Sequence, residues 1–534
     1  MARSDGQTTD TAQPRRATRR EWIGLAVIAL PCLLYAMDLT VLTLAVPSLT
    51  ADLRPSANEL LWIVDIYGFL VAGFLITMGT LGDRIGRRKL LLIGAGAFGG
   101  ASVVAAFSSS PEMLIASRAL LGIAGATLAP STLSLIRNMF LDPKQRTVAV
   151  GVWIASFSAG GAVGPLLGGL LLEWFWWGSV FLLAVPLMGL LLVLGPLLLP
   201  EYRDPRAGRL DPASAALSLA AVLAVVYGLK QLAQDGLGWP PALSIVAGPV
   251  LGVVFVRRQQ RLADPLLDLR LFANRAFSAS LVTNTLSFFV GFGTLLFIAQ
   301  YLQLVLGLSP LRAGLWMLPS SAAFIVGSML APLLARRARP AVAIVAGLAL
   351  SAVGFGLLTQ IDGAAGLAVL VASSVVFSLG LAPVDTLAAD LTVGAAPPER
   401  AGAASALSET SAELGGALGI AVLGSVGTAV YRGQMTDAIP VGTPPQAAEA
   451  ARDTLGGAVA AAGELPGQLG AALLDAARHA FTQGLELAAA VSAALAVAVA
   501  VLTAALLQGV RPSAQPQQDP DRSRQRCEAG RGAP

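Results

Sequence analysis

Charge is scarce in this chain. Only 13% of its 534 residues are Asp, Glu, Lys or Arg, whereas about a quarter of a soluble protein is charged. Together with 55% hydrophobic residues and a mean hydropathy of +0.70, that deficit excludes a water-soluble enzyme and indicates a chain that crosses a membrane many times. There are two cysteines, Cys32 in the first apolar run and Cys527 in the polar tail, so neither a disulfide framework nor a cysteine metal site can form. The single histidine, His479, excludes a multi-histidine metal centre. No G-x-x-x-x-G-K-[ST] run is present, which removes the phosphate loop of an ATP-driven pump. A transporter of this composition would draw on an ion gradient, with no cofactor. The basic residues sit in short loops between apolar runs rather than in one patch, which argues against nucleic acid.

A helix needs about 20 apolar residues to cross a bilayer. Fourteen runs qualify: Trp22–Pro47, Leu60–Gly79, Leu90–Ser108, Met113–Ile136, Val148–Leu172, Ser179–Leu199, Pro212–Leu229, Pro240–Val256, Phe277–Leu302, Leu311–Leu334, Ala341–Leu358, Ala365–Leu391, Ala401–Val426 and Leu485–Gln508. The basic stretch before the first run resembles the start of a signal peptide, but the run is long and no small-residue cleavage site follows, so a retained helix is expected. Loops on the N-terminal side of this topology carry 29 of the 36 Lys and Arg residues. That bias predicts an even helix count with both termini in the cytoplasm of a cell (inner) membrane protein.

The expected organisation is a cytoplasmic N-terminal segment (1–21), a six-helix bundle (22–200), a linker with inserted helices 7 and 8 (201–276), and a second six-helix bundle (277–508). A disordered cytoplasmic tail (509–534) follows. At an offset of 252 residues, Leu81, Arg84 and Arg87 match Leu333, Arg336 and Arg339, the echo expected of two related halves with a substrate site between them. The stretch 431–484 is an outer loop by parity. Its amphipathic run, Ala471 to Phe481, is expected to lie on the outer surface or over the cavity mouth.

Four motifs stand on these spans. The basic, glycine-punctuated loop Gly79-Thr-Leu-Gly-Asp83-Arg84-Ile-Gly86-Arg87-Arg88-Lys89 joins the second and third spans. The fourth span holds Leu114-Ile-Ala-Ser-Arg118-Ala-Leu-Leu-Gly122-Ile-Ala-Gly125. The fifth holds Gly160-Gly-Ala-Val-Gly164-Pro165-Leu-Leu-Gly168-Gly169, and the first Met37-Asp38-Leu-Thr40-Val-Leu-Thr-Leu-Ala45-Val-Pro47. Gly160, Gly164 and Gly168 share one helix face, which lets a neighbouring backbone approach closely, and Pro165 permits a bend. Ordinary small-residue packing is the plainer reading of the same stripe.

In this order and on these helices, the motifs resemble the fourteen-helix drug:proton antiporter branch of the major facilitator superfamily. Leu61-Trp62-Ile-Val-Asp65-Ile-Tyr67 and Leu474-Asp-Ala-Ala-Arg478-His479-Ala-Phe481 add likeness to its methyl viologen, dye and quaternary-ammonium pumps. The resemblance spans about Trp22 to Gln508. It implies an all-α polytopic membrane protein with two six-helix bundles plus two inserted helices, acting as a monomer on a small amphiphilic cation and protons in the lipid bilayer. It also implies that the fifth-helix pattern marks an antiporter, that Asp83 caps a helix of the other half, and that Arg84, Arg87 and Arg88 belong to a cytoplasmic charge latch. Asp83 aligns with Ala335 in the second half, so the latch is expected to be one-sided.

Charges inside the membrane are costly unless paired or hydrated and therefore mark function. At 1.5 Å per residue, Asp38 lies roughly 24 Å into an outward-running helix, while Asp65 and Arg118 lie roughly 8 Å from the outer ends of inward-running ones. The three are expected at similar depth, where one arginine and two acids can exchange partners as a proton moves; a structural ion pair around Arg118 is the alternative. Glu409 and Glu413 share a face of the thirteenth helix, suited to a cation or a shared proton. Asp385 and Asp390 are expected to be solvated near the cytoplasmic end. Tyr35, Trp62, Tyr67, Phe288 and Phe289 are candidate ring faces for a lipophilic cation, with Trp62 alternatively an interfacial anchor. Trp174, Trp176 and Trp177 read as an outer aromatic belt.

The expectation is a proton-coupled efflux antiporter in which Asp38 and Arg118 handle the proton, and Asp65, Glu409, Glu413, Trp62, Tyr67 and Tyr35 meet the substrate. An exporter of an endogenous metabolite or antibiotic is the nearest rival. A non-transporting scaffold or sensor is a second, and the membrane charges at Asp38 and Arg118 count against it. No nucleophile–base arrangement supports an enzyme.

Overall fold

In a computed structural model, residues 16–203, 211–235, 238–262, 265–361, 366–396 and 401–507 are described. Among them helix is the only regular structure, and fourteen helices are long and apolar enough to span a bilayer. A helix satisfies every backbone polar group within its own segment, which hydrocarbon demands.

The first half contains α1 (Arg19–Leu53), α2 (Ala57–Ile85), α3 (Arg87–Ala106), α4 (Pro111–Gly125) with α5 (Leu128–Met139) as one broken crossing, α6 (Pro143–Trp174), and α7 (Ser179–Leu182) with α8 (Ala184–Leu198). The inserted pair is α9 (Pro212–Asp235) and α10 (Trp239–Arg261). The second half contains α11 (Arg275–Gln300), prolonged by a π turn over Tyr301–Val305, then α12 (Pro310–Arg337), α13 (Pro340–Leu358), α14 (Gly366–Gly394) and α15 (Ala401–Ala438). The short α16 (Pro445–Asp453) and α17 (Leu455–Glu464) precede the long α18 (Gly467–Leu507).

Local chemistry sets several of these starts. Ser56 and Glu59 form a reciprocal capping box at α2, which satisfies two orphan N–H groups. Ser110 before Pro111 and Ser309 before Pro310 cap α4 and α12, with proline in the first turn, where its missing N–H costs nothing.

The two halves repeat their packing. In the first, α1 packs on α6 and α8, and α3 on α4 and α8. In the second, α11 packs on α15 and α18, and α13 on α14 and α18. The turns carrying the 252-residue echo are also equivalent: Leu81 and Arg84 close α2 as Leu333 and Arg336 close α12, while Arg87 opens α3 and Arg339 caps α13. Each half has its own apolar core. The inserted α9 docks outside both, across the seam between α2 and α15, where Val226 packs with Phe69, Ala417 and Ala421.

Several expectations are corrected. The Gly79–Lys89 segment, expected as a glycine-punctuated loop, is mostly helical: α2 continues to Ile85, α3 begins at Arg87, and the chain turns only at Gly86, whose φ of 114° suits glycine. The inserted helices run past their apolar cores, to Asp235 and Arg261. The run Ala471–Phe481 is not a separate surface helix but the opening of α18, continuous with the last crossing, with Leu473, Ala477, Ala480 and Phe481 packed into the second core. The tail 509–534 and most of segment 1–21 fall outside the described residues, so nothing is said of their expected structure.

Candidate functional site

Between the halves lies a cavity of about 550 Å³. The first half lines it with Tyr35, Thr40, Asp65, Arg118, Trp153, Phe157 and Gly161. The second contributes Ser287, Phe288, Phe292, Ser320, Ser321, Phe324, Ser378, Asp385, Glu409 and Glu413. Contacts between the halves join them toward the end where α1 finishes. Gln303 donates to the Leu44 carbonyl at 3.1 Å. A Cβ on Gly314 would sit 2.4 Å from the Pro165 carbonyl oxygen, one on Gly169 2.7 Å from that of Pro310, and one on Gly424 2.5 Å from Leu61. At helical rise the lining extends to Leu75, Ala129 and Trp153, each about 15 Å from the end where α1 begins.

The first-half charges form two separate pairs. Arg118 donates to Asp38 at 2.6 Å and to the Ile63 carbonyl at 3.2 Å, and its guanidinium lies 4.6 Å from the centre of the Tyr67 ring. Arg118 is 1% exposed, so this pair is desolvated. Asp38 is not on the main cavity wall. It lines a narrow crevice with Met37, Val180 and Phe181; Leu42 borders both spaces, and Arg118, on the cavity wall, reaches Asp38 by its ion pair.

Asp65 pairs instead with Lys230 of α9, at 2.8 and 3.0 Å from its two oxygens. The same ammonium rests 3.8 Å from the centre of the Trp62 ring. The expected trio of Asp38, Asp65 and Arg118 exchanging partners is therefore corrected to two ion pairs with different owners. Sequence reasoning missed Lys230. Its signal was a lone lysine one residue beyond the expected end of the seventh span, on a helix that continues past that point. Trp62 and Tyr67 are likewise corrected: neither lines the cavity, and their rings face Lys230 and Arg118 instead.

The second-half acids are different. Glu409 and Glu413 lie one turn apart on α15 and both line the cavity. Asp385 joins them from α14, contrary to its expected solvation, with Ser287 beside it and its Oδ1 buried without a hydrogen bond. Asp390 is exposed. Among the described residues, none of Asp385, Glu409 and Glu413 has a Lys or Arg ion-pair partner. Tyr35 stands beside Glu413, and Phe157, Phe288 and Phe292 supply further ring faces. Phe289 packs with the second core instead. Carboxylates without counter-ions, walled by aromatic rings, are complementary to an organic cation.

The glycine stripe of α6 faces α1. A Cβ on Gly160 would meet the Leu33 carbonyl oxygen at 2.2 Å, one on Gly164 the Thr40 hydroxyl at 2.2 Å, and one on Gly168 the Val41 side chain at 3.1 Å. Gly169 faces the other half through Pro310 and Leu311. The α2–α3 turn is tied into its own half. Asp83 pairs with Arg87 at 2.5 Å, rather than capping a helix of the other half. Arg87 donates to the Pro130 carbonyl, and Arg88 to that of Leu199 while pairing with Glu201 at 3.6 Å. Arg84 is exposed, and Gly79 packs loosely near Pro130. Of the aromatic belt, Trp174 and Trp176 are exposed, but Trp177 is buried and donates to Asp52 at 2.6 Å.

The sequence profile of the Major Facilitator Superfamily matches residues 28–420. The multidrug efflux pump LfrA of Mycolicibacterium smegmatis is 46% identical over 91% of this chain and 95% of its own length. The methyl viologen resistance protein SmvA of Salmonella typhimurium is 40% identical over 86% of this chain and 93% of its own. Among solved structures, an inward-facing, unoccupied bacterial homolog of the human lysosomal transporter Spinster superposes with a TM-score of 0.67 at 18% identity, covering 93% of this chain and all of that one.

Proposed function

The chain belongs to the major facilitator superfamily, and from that premise we propose that it is a proton-coupled multidrug efflux antiporter for lipophilic cations. It is a multi-pass membrane transporter and not an enzyme. Efflux as the direction of transport is supported by LfrA and SmvA, with which it shares nearly its whole length. The observation that carries the substrate class is the set of three acids in the cavity, Asp385, Glu409 and Glu413, without basic partners and among aromatic rings.

The bias of Lys and Arg toward alternate loops puts both termini in the cytoplasm of the cell membrane. In that orientation the contacts between the halves close the outer side, and the cavity lining extends toward the cytoplasm, the arrangement an exporter needs to load. Both halves of the site come from one polypeptide, which supports reading the monomer as the working unit.

The working cycle uses the separate ownership of the charges. A proton reaching Asp38 removes its attraction for Arg118, whose guanidinium also borders the cavity. Releasing that buried pair makes the first half more positive and disfavours a bound cation. Loss of the proton restores the pair and the affinity. The backbone contacts of α6 with α1 and α12 are the surfaces that hold or slide as the halves rock.

The test is pH-gradient-driven uptake of ethidium, a quaternary ammonium and methyl viologen into inverted vesicles containing the full chain. Uptake that collapses with the gradient and is abolished by Asp38→Asn is the expected result. Uptake that ignores the gradient would sink proton coupling. A second reading, export of an endogenous product, is favoured by 33% identity over 88% of the chain with the tetracenomycin C resistance and export protein of Streptomyces glaucescens. Saturable uptake of tetracenomycin C in preference to the cations would select it.

A further inference from the structure

The inserted helices carry one group that this cycle leaves unused. Lys230 is 2% exposed, on a helix that otherwise sits at the periphery. Its ammonium touches the Asp65 carboxylate at 2.8 Å and the Trp62 ring face at 3.8 Å. A carboxylate and an indole face form a receptor for an organic cation. Here the receptor is filled by the chain's own cation, which reaches it from the α9 side.

Asp65 has a second side. It is among the residues of the cavity wall, with Gly68 and Glu413, and α2 packs closely on α15 here: a Cβ on Gly68 would lie 3.1 Å from Ala417 Cβ and 3.9 Å from the Glu413 carbonyl oxygen. In this structure the carboxylate is fully buried against Lys230, at the edge of the cavity wall, so a cation entering the cavity can claim it only by parting that pair. Charge comparison separates it from the other acids: Asp385, Glu409 and Glu413 have no internal cation, whereas Asp65 is fully neutralised while Lys230 stays in place.

We propose that Lys230 is a tethered competitor for the cationic substrate, holding Asp65 neutral in the empty transporter and yielding the carboxylate when a cation binds. This rests on the reading of the cavity as a cation site. Lys230 is a positioning residue, since it meets the substrate only through Asp65. It sets the affinity threshold: a cation must outcompete a built-in ammonium for the fourth carboxylate. A released Lys230 keeps the Trp62 face as a resting place, which limits the penalty for parting the pair.

The experiment measures tetraphenylphosphonium binding to the purified full chain in nanodiscs. For folded Lys230→Gln we expect a Kd lower by at least about tenfold, the size of coupling that a close charge pair carries. In the Asp65→Asn background the same replacement should gain clearly less, because no carboxylate is left to release and only the repulsion of the ammonium is removed. Equal affinity of wild type and folded Lys230→Gln, with Asp65→Asn weakened, overturns the competitor role and leaves the cation site standing. Absence of binding by every form, wild type included, overturns both. A second measurement needs no variant. The chain has only three lysines, Lys89, Lys144 and Lys230, so 15Nζ-lysine NMR of the wild type resolves each ammonium. Saturating tetraphenylphosphonium should move the Lys230 signal alone; an unmoved signal means a fixed structural bridge and overturns the proposal.

Discussion

Replacing Gly160 by alanine puts a methyl group where α1 already is. The new Cβ would stand 2.2 Å from the Leu33 carbonyl oxygen and 3.0 Å from Ala36 Cβ. Ordinary contact for such an atom begins at 3.4 Å, so α1 and α6 must part by about 1 Å at this level, giving up dispersion contact along the seam. The obstacle is backbone, which cannot swing aside as a long side chain can. Overpacking of this kind costs about 1–3 kcal/mol. Against it stands the better helix propensity of alanine, about 1 kcal/mol.

Gly151, on the same helix, has nothing within 4 Å of its Cβ position. Gly151→Ala therefore gains the propensity term without the clash, and comparing the two cancels propensity. The remaining difference is the clash alone, about 1–3 kcal/mol in disfavour of Gly160→Ala. Parallel unfolding of the two full-length variants in one detergent measures it, and initial rates of uptake into vesicles show whether the seam also matters for turnover. Equal stability of the two variants would refute the claim that α1 and α6 meet backbone to backbone.

Other perturbations follow from the charges and turns. Arg118→Ala strands Asp38 in its crevice and should destabilise the chain by about 3–5 kcal/mol, as breaking one side of a buried pair does; Arg118→Ala/Asp38→Asn should recover most of that loss, read by thermal melting. Glu409→Gln and Glu413→Gln should each weaken binding of a monovalent cation by about tenfold if each supplies 1.4 kcal/mol of attraction, with equilibrium dialysis as the check. Gly86→Ala combines a φ of 114° with a Cβ 2.5 Å from the Glu201 carboxylate, so a loss of about 1–3 kcal/mol is expected, together with disruption of the Arg88–Glu201 pair. Outside the membrane, Asp211 titrates below its ordinary 3.8: partial burial works against this but is outweighed by bonds from Arg258, Ser214 and the Ser214 backbone. A depressed carboxyl stabilises the fold above its unfolded pKa and loses that contribution as pH falls through the folded value. The α9–α10 hairpin should therefore loosen in acid, and Asp211→Asn should flatten that part of the pH–stability curve.

The sequence carried the helices because their signal is local. Apolar runs of membrane length, caps such as Ser56–Glu59, and the distribution of Lys and Arg can be read without knowing what packs on what. The same locality explains the misses. Whether Ala471–Phe481 lies flat or continues into the last crossing depends on its packing with α17 and the π turn after α11. Asp385 looked solvated from its distance to a helix end, but the side it faces depends on the rotation of α14 against α12 and α15.

Few charges, fourteen long apolar runs, a basic-loop bias and ordered motifs determined from sequence alone that this is a polytopic membrane protein of major facilitator type with acids inside the bilayer. The tertiary structure decided which acid answers to which cation. Asp38, Asp65 and Arg118 are at comparable depth along their helices, and depth is all that 1.5 Å per residue can supply. Pairing depends on azimuth and on a third party. Arg118 turns to Asp38, while α9, 165 residues further along the chain than Asp65, brings Lys230 to the remaining carboxylate. A Coulomb pair forms only over a few ångströms, and no spacing in the sequence reports which distant helix will come that close.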